Sequence, residues 1–156
     1  MNFWTAKSWS FKLSAYFWLY NPIFSPNQLV VNAFLSIGRW FFVLPFAILG
    51  LLHFMDSEAL INYVVPAFMP AKAVWVYIGG VGLIAASLSM LIGRYDKLAA
   101  TLLAIFFILI VAMVHVPAVL KTHESSAMFG LLKDISLAGA AMMYALHYAK
   151  DRSIIG

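Results

Sequence analysis

Arg39, His53 and His115 fall inside long apolar stretches of this chain, and Lys133 and Asp134 stand at the mouth of another. Ionisable groups in such surroundings are costly to keep and usually serve a function. His53 is near the end of its stretch and His115 a few residues from the end of its own. At about 1.5 Å per residue, the two imidazoles should agree in depth within roughly 5 Å. Lys133, Asp134 and Asp56 come at a similar height. A carboxylate set against an imidazole fixes its tautomer, and such a pair can bind a quinone carbonyl and pass a proton. Three readings of this layer stand. It is an internally paired polar cap tying helix ends together, a quinone or lipid site formed by His53, His115, Lys133 and Asp134, or a metal or haem site using the two imidazoles. Isolated histidines lack the spacing of a metal motif, so no metal ligand is assigned.

Arg39 is a separate case. The turn of a helix from Arg39 to His53 brings them within about 40° of one face, and Pro45 between them can kink that helix. The guanidinium can snorkel to the nearer surface and either pair with Asp96 or hold a lipid phosphate; a structural anchor is the favoured role. His123 and His147 read as loop and tail-end residues without a role. No nucleophile–base triad, phosphate loop or nucleotide fingerprint is visible, so no catalytic residue and no intrinsic cofactor is assigned.

The elements that must position these residues follow from composition. The chain has 156 residues, of which 64% are hydrophobic and only 10% charged. A soluble domain of this size needs a charged skin that these residues cannot supply, so the solvent is lipid. The formal charge of +4 resides at the ends of apolar runs, where it sets topology and meets anionic lipid; nucleic acid is not expected as a partner. There is no cysteine, which excludes thiol redox chemistry, Cys-ligated iron–sulfur clusters and disulfides within the chain.

A bilayer-spanning helix needs roughly 20 mainly apolar residues. Four stretches qualify: about Val31 to Met55, Ala73 to Ile92, Leu98 to Leu120 and Leu131 to Tyr148. Their short links force successive helices to be antiparallel. The expected fold is all-α, a transmembrane four-helix up-down bundle over 31–150, with an N-terminal arm over 1–30 and a tail over 151–156. Trp9, Leu13, Tyr16, Phe17 and Tyr20 repeat in the arm at helical spacing before Asn21-Pro22 breaks the run. Such an aromatic segment reads as an interfacial helix, a partly ordered tail or a docking arm for a neighbouring subunit. No small-residue cleavage site follows it, so a signal peptide is not expected. Gly79, Gly82, Ala86, Ser89 and Gly93 form a small-residue stripe on the second span, read as a close helix-packing face, within the bundle by preference or else between protomers.

Several runs resemble the DoxX family of membrane proteins. These are Arg39 and Gly50-Leu51-Leu52-His53-Phe54 in the first span, Pro70 before the second, and Leu91-Ile92-Gly93-Arg94 at the second span's end. Ala112-Met113-Val114-His115 in the third and Leu131-Leu132-Lys133-Asp134-Ile135-Ser136-Leu137-Ala138-Gly139 in the fourth complete the pattern. The resemblance covers roughly residues 33 to 150. Many family members carry a glutamate in the first half of the second span; here that region reads Gly79-Gly80-Val81-Gly82-Leu83. The resemblance implies association with membrane oxidoreductase systems, including a thiosulfate:quinone oxidoreductase. The expected function is therefore a small accessory subunit, without catalysis of its own, of a respiratory or redox-linked membrane complex. Its partners would be the lipid bilayer and other membrane subunits. The alternative is a stand-alone quinone- or lipid-binding protein or oxidoreductase component.

Seven Lys and Arg residues (7, 12, 39, 94, 97, 150 and 152) fall on one side of the expected topology and three (72, 121 and 133) on the other. By the positive-inside rule both termini are cytoplasmic, with a bacterial inner membrane as the expected location. Reporter fusions after Gly156 and near Ser126 are expected to report opposite sides of the membrane; the same side at both positions would refute the four-span topology.

Overall fold

The fold is that of a computed structural model describing residues 26–151, with the side chains of 26–29 and of Tyr63 left aside. The expected aromatic arm lies outside the described residues except for 26–30, which are helical, and the tail beyond 151 is also outside. Four helices are long and apolar enough to cross a membrane. They are α1 (Pro26–Met55), α2 (Lys72–Ile92), α3 (Asp96–Thr122) and α4 (Ser125–Tyr148). No strand occurs among the described residues. Pro26 occupies the first turn of α1, where a missing N–H costs nothing, and the helix continues through Pro45. α3 and α4 begin or end several residues beyond the expected apolar limits, taking in Lys121, Thr122 and Ser125. Each contains one wide π-helical turn, Val111–His115 in α3 and Tyr144–Tyr148 in α4.

The chain divides into two units, residues 1–40 and 41–156, and α1 contributes to both. All packing described from this point belongs to the second unit. Its core is made by Val43 and Phe46 of α1, Leu83 and Met90 of α2, Leu103 and Phe107 of α3, and Ala138, Ala141 and Tyr144 of α4. Aromatic rings join three of these helices: Phe46 meets Phe107 at 5.6 Å between centroids, and Phe42 stacks on Tyr144 at 5.9 Å. Large apolar side chains such as Ile78, Val81, Leu102 and Leu146 point outward, the inverse of a water-soluble surface and the arrangement lipid requires.

Two buried side-chain hydrogen bonds cross between helices. Ser87 Oγ donates to the Val43 carbonyl and Tyr144 Oη donates to the Met90 carbonyl, each at 3.1 Å. At the end of the bundle holding the α2–α3 turn, Gly93 takes φ +76° and donates its N–H to Ser89. Tyr95 adopts a left-handed φ of 54°, costly for a residue with a Cβ, and its N–H is held by the Asp151 carboxylate at 2.9 Å.

α1 and α2 touch most closely at Gly50 and Gly80. A Cβ on Gly50 would stand 2.8 Å from the Gly80 carbonyl oxygen; one on Gly80 would stand 2.8 Å from His53 Cβ and 3.1 Å from the Gly50 oxygen. The sequence assigned close packing to the stripe from Gly79 to Gly93 instead. Within that stripe, Gly82 has nothing within 4 Å of where its Cβ would be. Gly80→Ala is therefore expected to lower stability by about 1–3 kcal/mol through overpacking. Gly82→Ala should leave stability equal or higher, since alanine is the better helix former. Thermal unfolding of the two variants in detergent compares them, and equal losses would mean the Gly50–Gly80 crossing is not the tight one.

Candidate functional site

The expected polar layer resolves into two separate groups. In the first, the π-turn of α3 ends at His115, and the ring meets Asp134 of α4, with Nε2 to Oδ2 at 2.9 Å. A carboxylate accepts, so Nε2 carries the donated proton. The two side chains are 20% and 7% exposed, and Lys133 Nζ completes the group at 3.5 Å from Asp134 Oδ1 while remaining 67% exposed. Gly130 makes the fit possible: a Cβ there would stand 2.6 Å from His115 Cε1. The group sits deeper than a helix mouth. α4 begins at Ser125, so Asp134 lies about 14 Å along the helix from its start.

At the opposite end of the same helix pair, Asp96 is fully buried. Its Oδ1 accepts the N–H of Lys97 at 3.0 Å and of Asp151 at 2.9 Å, and its Oδ2 accepts the N–H of Lys150 at 2.9 Å. These donors stabilise the charge and fasten the start of α3 to the end of α4. The residue that was expected to pair with Arg39 thus has backbone N–H groups from both chain segments on its two oxygens. Arg39 belongs to the other unit and is half-buried.

The second group contains His53. Its Nδ1 lies 2.7 Å from the Leu49 carbonyl oxygen one turn back in α1. No hydrogen bond or ion pair between it and the His115–Asp134 group occurs among the described residues. It instead borders a groove of about 680 Å³ along α2 and α3. Gly79, Gly82, Ala86 and Ser89 line this groove, and the stripe leaves open space at Gly82. On α3 the lining extends from Leu98 to Val114, and beyond His53 the groove is bordered by the α1–α2 connection from Leu60 to Met69. Its walls are almost wholly apolar. No Lys or Arg is among its lining residues. Trp75 and Phe106 flank the histidine end; the sequence showed them only as two more aromatics in apolar spans. No cluster of three or more His, Asp or Glu side chains suited to a metal occurs among the described residues.

The model of one family, described as a domain of unknown function (DUF8561), matches residues 43–147. The matched segment holds His53, the groove and the His115–Asp134 pair. No curated protein and no solved structure matches the chain.

The buried pair makes a direct prediction. Removing one partner of a buried, hydrogen-bonded charge strands the other, at about 3–5 kcal/mol, whereas an exposed pair is worth about 0–1 kcal/mol. Asp134→Asn is expected to lower thermal stability well beyond Glu124→Gln, whose carboxylate is exposed beside Ser126. Equal melting temperatures for the two variants would reduce the His115–Asp134 pair to a marginal contact.

Proposed function

The chain belongs to the DUF8561 family, and we propose that it is a small integral membrane protein that holds a single-chain membrane amphiphile, a quinone or a lipid, in the groove along α2 and α3. The dimensions of the groove support this reading. From Leu98 to Val114 the lining rises about 24 Å, most of the roughly 30 Å hydrocarbon thickness of a bilayer. A volume of about 680 Å³ over that length makes the groove an elongated space. A hydrocarbon chain has that form. Mostly apolar walls with a few polar groups, here His53 at one end and Ser89 and Tyr95 toward the other, are the usual form of a site for such a molecule.

The protein has no catalysis of its own in this proposal, and no intrinsic cofactor. The runs that resemble DoxX chains support its place as an accessory subunit of a larger respiratory or redox-linked membrane complex, where a stored quinone or lipid would be of use. The distribution of Lys and Arg supports a bacterial inner membrane location with both termini in the cytoplasm, putting His53, His115, Lys133 and Asp134 toward the outer leaflet.

Mass spectrometry of small molecules extracted from the protein purified in mild detergent tests the reading. A single-chain amphiphile should be retained by the unaltered chain and lost from Gly82→Leu. Leucine at this open position fills room equal to about four methylene groups, which at roughly 0.8 kcal/mol each is ~3 kcal/mol, or about a hundredfold in affinity. No retained amphiphile in either protein, with added long-chain quinone also unbound, would sink the proposal.

A further inference from the structure

We propose that the groove selects its occupant by a hydroxyl head: it takes a single-chain phenol or hydroquinone in preference to the oxidised quinone or to any phosphate-headed lipid. This rests on the amphiphile reading and adds to it the chemistry of the head. The Leu49 carbonyl oxygen, 2.7 Å from His53 Nδ1, can only accept a hydrogen bond. Nδ1 therefore carries a proton, and Nε2 is the ring nitrogen left to accept a hydrogen bond in the uncharged imidazole. That nitrogen faces the groove: it lies 3.6 Å from the place a Cβ would take on Gly79, a residue of the groove wall.

Among the described residues, the other side chains at this end offer no competing donor. The Trp75 indole N–H is already given to the Pro70 carbonyl at 3.1 Å. Phe106 approaches the same open position beside Gly79 to 3.7 Å with a ring carbon. Among the described residues, the head end of the groove thus has His53 Nε2 and two aromatic rings. A phenolic O–H matches all three, donating to Nε2 while its ring packs against Phe106 and Trp75. A quinone carbonyl would set its own lone pairs against that of Nε2. A phosphate would find no cation among the described lining residues, which include no Lys or Arg. No electron transfer is part of the proposal; discrimination is by hydrogen-bond polarity alone.

The test uses the full chain in detergent micelles and three probes that share one chain: decylhydroquinone kept under argon, the corresponding decylquinone, and the dimethyl ether of the hydroquinone. Binding is read by native mass spectrometry and equilibrium dialysis. The hydroquinone is expected to bind about tenfold more tightly than either other probe, the worth of one hydrogen bond in an apolar site. His53→Leu should bring the three to equal affinity while keeping binding of the chain. Gly79→Ala gives the same levelling by a second route. Its methyl would make ordinary contacts of 3.6 Å with the imidazole edge and 3.7 Å with Phe106, so the fold is kept while access to Nε2 is filled. Equal affinities for the three probes in the unaltered chain, or a preference that survives both variants, would overturn the hydroxyl selection and leave the groove reading intact. Failure of all three to bind would overturn both.

Discussion

A polar group turned inward in a bundle surrounded by hydrocarbon must find its partner within the protein, because no water can replace it. The α3–α4 seam is organised by this requirement. Asp96 is buried at one end and answered by three backbone N–H groups; Asp134 is buried toward the other and answered by His115 and Lys133. The helix from Asp96 to His115 rises about 28 Å, close to the hydrocarbon thickness, so the two carboxylates bracket the apolar slab. Between them the seam is made largely of small residues, Ala99, Ala100, Ala104, Ala138 and Ala141, which let the two backbones come near.

α2 combines two opposite uses of small residues. Gly80 lies against Gly50 so closely that neither tolerates a side chain, and this contact holds α1 in place. Gly79 and Gly82, its near neighbours in sequence, turn toward the groove, where the missing side chains leave room for a chain-like molecule. The tight crossing also sets His53. Gly80 receives His53 Cβ, so the ring is carried past the crossing to the groove wall, where its bond to Leu49 fixes the tautomer.

The parts of this arrangement governed by the bilayer were legible in the sequence. Hydrocarbon thickness alone demands four apolar runs, and short links leave only antiparallel order. Counting depth also placed His115 and Asp134 together. It placed His53 at their height as well, but depth says nothing of azimuth, and His53 turns to another face. The helix ends were read short because Lys121, Thr122 and Ser125 are polar; beyond the hydrocarbon a helix no longer has to be apolar. The clamp on Asp96 could not be read, because the backbone N–H of Lys150 or Asp151 has no residue signature. The groove could not be read at all: an unfilled space belongs to the packing of two helices, and a run of small residues is equally the sign of contact and of vacancy.

The Asp96 clamp also bears on biosynthesis. Its carboxylate enters the bundle with the third span, but two of its three donors are on Lys150 and Asp151, which follow the whole of the fourth. Until those two residues emerge, the charge has one donor of three, and α3 has reason to keep its start at the aqueous boundary. Emergence of Lys150 and Asp151 therefore completes the clamp. A chain cut before Lys150 would hold four apolar segments with Asp96 left one of its three donors, a defect of the kind that membrane quality-control proteases can recognise.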